Sequence, residues 1–189
     1  TCVGDEGSFS YLPSKSGDNL SDQTATHVLD KYVKKYNKYS WLDRGSDERQ
    51  YCSPGIDLPV ASIMKSKYEK YSEYHTSLDN LDKFVTAKGL GDSLELYKKV
   101  ILSIENSIFY QQTNYCEPFL TKHNLYETTS KKNLDNKKIN LMMNFLSYCD
   151  GKTSFFEIIK KCKCNVKNIK PIVQKLLKRK IIRKNKFPI

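Results

Sequence analysis

Histidine is scarce in this chain: three occur among 189 residues, beside a single tryptophan. Imidazole chemistry therefore rests on His27, His75 or His123. No run of about 18 apolar residues occurs, which excludes a spanning helix. The opening TCVGDEGSFS has neither the basic start nor the apolar core of a secretory leader. It also lacks an initiator Met, as expected of a processed chain or of part of a longer one. The last third lacks acid. Residues 131–189 hold 17 Lys+Arg and 3 Asp+Glu, a net +14, whereas residues 1–130 hold 15 and 18, a net −3.

Apolar side chains are not lacking. With 39% hydrophobic and 12% aromatic residues, the chain can build a core, which argues against wholesale disorder. The length suits one large domain or two small ones, and the charge asymmetry favours two units with different tasks. A basic unit attracts polyanions such as nucleic acid or an anionic surface. A proteome in which Lys is the default surface residue gives the same excess. The six cysteines (Cys2, Cys52, Cys116, Cys149, Cys162, Cys164) follow no zinc-finger spacing. Cys162 and Cys164 make only a C-x-C pair. A chain of this size needs no disulfide staples, so reduced cysteines in a cytoplasmic protein are expected.

Periodicity gives the organisation. Residues 1–4 read as the end of a strand and residues 4–7 as the loop after it. Ala25, Val28, Leu29, Tyr32, Val33 and Tyr36 recur at helical spacing, predicting a helix over 21–36. Residues 39–42 suit a short strand, 43–55 a polar loop, 60–64 a buried strand and 71–85 a loop. Leu94, Tyr97, Val100, Ile101 and Ile104 form the apolar stripe of a helix over 92–107. This alternation predicts an α/β layered domain of about three strands over 1–115. Residues 108–135 lack periodicity and read as a linker or arm. A helix over 136–149, a turn at Asp150-Gly151, a Ser154/Glu157 capping box, a short helix to 161 and a helix over 166–179 follow. Strand residues 181–182, a turn at 184–186 and a return over 187–189 complete the winged-helix order, an α+β module over 136–189.

His75 stands apart from the other two histidines. It lies in Tyr74-His75-Thr76-Ser77-Leu78-Asp79, at the start of a polar loop beyond a buried strand, where α/β sheets place ligands. The segment resembles the Y-H-T-x-x-D stretch of co-catalytic zinc aminopeptidases, the group that includes glutaminyl cyclases. The flanking order is similar too: Gly45-Ser46-Asp47-Glu48-Arg49-Gln50-Tyr51, then Gly55-Ile56-Asp57-Leu58-Pro59-Val60, then His75 and a long closing helix. Residues 44–60, RGSDERQYCSPGIDLPV, and the later CEPFLTK of residues 116–122 resemble one branch, which carries an appended winged helix and is linked to polysaccharide-biosynthesis loci.

The resemblance implies the C-terminal part of a three-layer α/β sandwich. It implies two zinc ions, a peptide-like or amide substrate, and a Glu general base upstream of Thr1. His75 is then a zinc ligand, and Asp5 either a second ligand or a residue that orients a loop. Most ligands are expected upstream, so this chain alone is expected to be inactive. Asp47, Glu48, Arg49 and Tyr51 are placed in the loop facing the site. There Asp47 orients or caps, Arg49 suits a substrate carboxylate and Tyr51 an oxyanion; a self-bonded turn is the alternative. For the basic unit, Lys163, Lys167, Lys170 and Lys175 near the third helix and Arg183, Lys184 and Lys186 on the wing are the phosphate-contacting candidates. Lys178 and Lys180 are further candidates for that side. A protein partner, or a second copy of the chain, is the other expectation. Helix 3 offers little beyond Gln174 for base edges.

Overall fold

The computed structural model describes residues 2–123, 125 and 132–186. The chain divides into two units, Thr1–Glu105 and Asn106–Ile189.

In the first unit, strand β1 (Ser10–Leu12) leads through helix α1 (Leu20–Tyr32) to β2 (Asn37–Lys38). β1 and β2 pair in parallel, with Ser10 opposite Asn37. β3 (Ser62–Met64) pairs antiparallel to β1 on its other side, with Tyr11 opposite Ile63, giving the order β2-β1-β3. Asn19 caps α1 by accepting the amides of Ser21 (3.0 Å) and Asp22 (3.3 Å). Ala25, Val28 and Leu29 then bury one face with Tyr11 and Leu96. The helix ends at Tyr32, four residues short of expectation; Tyr32 is half exposed, with the Lys31 and Lys99 ammonium groups over its ring.

Helix α3 (Ala87–Glu105) starts five residues earlier than expected. Gly89 permits this, because a Cβ there would lie 2.1 Å from the carbonyl oxygen of Gly4. Ser93 Oγ donates to the Val3 carbonyl at 2.6 Å, fixing the same approach. The buried face of α3 is Gly89, Ser93 and Leu96. Leu94 and Ile101, expected in the buried stripe, are 55% and 60% exposed. Two further expectations are corrected. Residues 2–4 form no strand; the strand is Ser10–Leu12. The strand expected over 39–42 lies at Asn37–Lys38. Trp41–Asp43 is instead a 3-10 turn, closed by Ser40 and Asp43 in a reciprocal cap.

The second unit is an antiparallel sheet under three helices. Strand β4 (Phe109–Gln112) is central, flanked by β5 (Asp150–Ser154) and β6 (Ile182–Asn185). Helices α4 (Lys132–Ser147), α5 (Phe155–Lys161) and α6 (Val166–Lys178) complete it. β4 lies in the stretch read as a linker, so that reading is corrected. Phe109 is fully buried, and the Tyr110, Phe145 and Phe155 rings meet edge to face at 5.4–6.2 Å.

At Asp150-Gly151 the carboxylate accepts the Lys152 and Thr153 amides at 2.7 Å each, and Gly151 takes φ +81. Ser154 occupies the N-cap of α5, but its side chain makes no cap bond. The turn expected at 184–186 begins inside β6, and the return over 187–189 lies outside the described residues. The fold is thus a mixed α/β unit followed by a winged helix.

Candidate functional site

The 44–52 segment turns on one carboxylate. Glu48 opens the one-turn helix α2 (Glu48–Tyr51) and is 2% exposed. Its Oε1 accepts the Gly45 amide (2.9 Å), the Ser46 amide (3.0 Å) and the Tyr68 hydroxyl (2.6 Å). Burial works to raise its pKa. The bonds from Tyr68, Ser46 and Gly45 outweigh that and hold it below the usual glutamate value. Glu48 was placed in the loop facing the site, with a self-bonded turn as the alternative; it is the knot of such a turn. Its neighbours remain outside. Asp47 is exposed and makes no side-chain cap bond. Arg49 is exposed with no charged partner among the described residues, and Tyr51 is 49% exposed. Of the four, Glu48 alone is buried; Asp47, Arg49 and Tyr51 are accessible.

Asp5 is likewise committed. It is 4% exposed. Its Oδ1 accepts the Gly7 amide and the Ser66 hydroxyl at 2.7 Å each, and its Oδ2 accepts the Ser66 amide at 3.2 Å. Both oxygens hold the loop after β3 to the N-terminal segment, the loop-orienting alternative.

His75 is exposed and sits at φ +58, a left-handed conformation that is uncommon outside glycine. Its ring stacks on Tyr74 at 4.0 Å and 16°. Tyr74 meets Tyr71 edge to face at 5.6 Å, and Tyr71 stacks on Phe84 at 4.7 Å. An aromatic ladder thus presents the imidazole at its end. Tyr71 is steadied by a bond to Asp79 (3.1 Å) and lies 3.5 Å from Cys2 Sγ.

A catalytic zinc site needs about three protein donors. Among the described residues no group of three or more His, Cys, Asp or Glu comes together, and both Asp5 oxygens already accept hydrogen bonds from the Gly7 and Ser66 groups. The residues present therefore do not fit a zinc site on their own; they supply one open imidazole. The C-x-C pair adds nothing to this. Burial pushes the Cys162 and Cys164 thiols up, with Cys164 adding to the effect on Cys162, which disfavours thiolate. All six cysteines are free.

Sequence reasoning missed Tyr68 and Lys67. Lys67 is 2% exposed, its ammonium 3.8 Å from the Tyr68 ring centroid and 5.6 Å from that of Tyr39. No local pattern marks a lysine as buried in this way.

In the second unit the helical period sorts the lysines. Ile169, Val173 and Leu176 are the buried face of α6. The opposite face carries Lys167, Lys170, Gln174 and Lys178, all exposed. Lys175 departs from this row: it is half-buried on the flank, beside Met142 and Ile172. Lys163 follows α5 at φ +49 and is exposed. Arg183 and Lys184 are neighbours on β6, so their side chains leave opposite faces. Arg183 Nε donates to Gln111 Oε1 at 2.8 Å. Lys186 is exposed beyond the strand.

The chain belongs to the family described as "Domain of unknown function (DUF4910)", whose model matches residues 1–107. Residues 108–184 match a winged helix-turn-helix model. The chain is 39% identical over 171 residues to a Clostridium acetobutylicum protein named "Putative polysaccharide biosynthesis protein with aminopeptidase-like domain"; the match covers 90% of this chain and 39% of that protein. It is also similar to the crystal structure of a "putative peptidase" from Clostridium acetobutylicum, with 35% sequence identity and a TM-score of 0.63. That likeness covers 98% of this chain and 40% of the solved one. The chain thus spans about two fifths of the length of the relatives it matches. Among the described residues no helix is long and apolar enough to cross a membrane.

Proposed function

We propose that the chain is part of an aminopeptidase-like hydrolase of amide or peptide-like bonds, working in a reducing cytoplasm. Its role there is to supply His75 as one donor of a zinc site completed by other parts of the whole protein. The observation that carries this reading is the left-handed, exposed His75 at the end of the Phe84–Tyr71–Tyr74 ladder. The similarity to proteins named as aminopeptidase-like and as a peptidase supports it. Arg49 and Tyr51 are the groups left free to meet a carboxylate or a developing oxyanion. The test uses the whole protein and its His75→Ala variant. Metal content by mass spectrometry should fall, and hydrolysis of aminoacyl anilides should drop at least 100-fold. Unchanged metal content and turnover in the variant would refute the reading.

A second reading concerns the winged helix, and the exposed row Lys167, Lys170 and Lys178 favours it. It binds polyanions, such as duplex DNA, through phosphate contacts, without base-specific readout. Anisotropy titrations at stepped salt test this. Changing all three lysines to Gln should flatten the salt dependence, by about 0.9 in log–log slope for each phosphate that is no longer neutralised. Absence of duplex binding at low salt would leave a protein partner as the role of this face.

A further inference from the structure

The second unit carries a groove of about 450 Å³ where β4 ends against the last turn of α4 and the starts of β5 and β6. Three strands contribute one side chain each to a single row. Gln111 of β4 pairs with Asp150 of β5 on one side and with Arg183 of β6 on the other. Side chains of paired residues leave the same face of a sheet. The carboxylate, the amide and the guanidinium therefore stand in line, on strands ~4.8 Å apart. Asn114 and Tyr115 line the groove beside them, and Tyr115 is fully exposed.

The row is held in place by the protein itself. Arg183 Nε donates to Gln111 Oε1 at 2.8 Å. Gln111 lies over Gly151, where a Cβ would come within 3.4 Å of its Cδ. Asp150 is fixed by the Lys152 and Thr153 amides and by the Thr153 hydroxyl. What remains open is of both signs. The Arg183 Nη groups and the Gln111 amide nitrogen make no bond among the described residues. Asp150 is exposed, and its Oδ2 accepts a single bond, which leaves a lone pair to spare. The volume falls inside the ~300–1,000 Å³ of small-ligand sites. Charge complementarity selects the occupant. A simple anion or a simple cation would meet a like charge in the row, whereas a zwitterion meets an opposite charge at each end. Two extended residues span about 7 Å, within the ~10 Å between β5 and β6 that the two side chains reach across. We propose that this groove binds a dipeptide with free termini. Its carboxylate takes the Arg183 Nη groups and the Gln111 amide, its ammonium takes Asp150 Oδ2, and its side chains lie against Tyr115 and Leu146. The proposal does not depend on the hydrolase reading.

The probe is alanylalanine, titrated into the full chain and followed by amide NMR. N-acetyl-alanylalanine and alanylalanine amide are its counterparts, each lacking one charge. Alanylalanine should shift the Gln111, Asn114 and Tyr115 signals in a saturable way. Each blocked form should bind about tenfold more weakly, the cost of one charge-assisted pair. Arg183→Gln should lose about tenfold in affinity for alanylalanine while its binding of the amide form is unchanged, since only the free carboxylate uses the guanidinium. Asp150→Asn keeps an acceptor for the turn and should no longer distinguish the acetylated form from the free dipeptide. Circular dichroism confirms that both variants fold. No saturable shift, blocked forms that bind as tightly as the free dipeptide, full affinity in Arg183→Gln, or shifts centred on other residues would each overturn the proposal.

Discussion

The two units solve the problem of staying folded in different ways. In the second unit thirteen buried hydrophobic residues join in one cluster, around Phe145, Ile158, Ile169 and Leu176. Its buried polar residues are Ser107, Thr153 and Ser154; among the described residues none is charged. The first unit has clusters of only five and three buried hydrophobics, yet it buries Asp5, Asp22, Glu48, Lys65 and Lys67. Burying a charge is costly unless it is fully hydrogen-bonded or paired. Where a unit accepts that cost repeatedly, the charges are fixing loops that apolar packing leaves unfixed. Asp5 fixes the loop after β3, and Glu48 fixes the 44–52 turn. Asp22 ties α1 to β1 through the Tyr11 hydroxyl (2.7 Å) and the Ser14 amide (2.8 Å) and hydroxyl (2.5 Å).

The contrast is sharpest if each unit is struck at its own kind of support. Phe145→Ala removes a fully buried ring that touches Tyr110 and Phe155. It should cost about 3–5 kcal/mol, seen as a large drop in the urea midpoint and as faster hydrogen exchange in β4, β5 and β6. Asp22→Ala deletes no core volume to speak of. It should nonetheless cost about 3 kcal/mol, because Tyr11 and Ser14 keep buried donors without an acceptor. A loss under about 1 kcal/mol in the same urea experiment would break the comparison, since the first unit would then not depend on its buried carboxylate.

How much of this was legible follows from what each residue shows locally. α6 was plain, since Ile169, Val173 and Leu176 repeat at 3.6 residues and Asn165 caps by accepting the Asn168 amide. The same period could have separated Lys178, on the outward row, from Lys175, on the flank. β1 and β4 were not legible. Ser10-Tyr11-Leu12 is buried throughout, and Phe109-Tyr110 is buried on successive residues, so neither shows the alternation that marks a half-exposed strand. Leu94 and Ile101 misled because α3 is apolar on more than one face, and spacing does not tell which face is covered. At the candidate site, motif and loop single out His75, which lies exposed at the end of the aromatic ladder. Glu48 was not told apart from Asp47 and Arg49, because its partner Tyr68 lies twenty residues away.

The Glu48 knot offers the finer test, since its contribution varies with pH. A carboxylate whose folded pKa lies below its unfolded value stabilises the fold above the unfolded pKa, near 4.5. That contribution is lost as pH falls through the lower, folded value. Glu48→Gln keeps the shape but replaces a charged acceptor with a weaker one and brings an amide that cannot accept. At pH 7 it should cost about 1–2 kcal/mol. The gap between Glu48→Gln and the parent chain should narrow as pH falls below the unfolded value, near 4.5, through the lower folded one, whereas Phe145→Ala should remain equally damaging across that range. Thermal unfolding at pH 7 and pH 3 distinguishes the two. A gap for Glu48→Gln that stays constant with pH would mean that the turn is held by shape rather than by charge, and that the first unit resembles the second more than its buried carboxylates suggest.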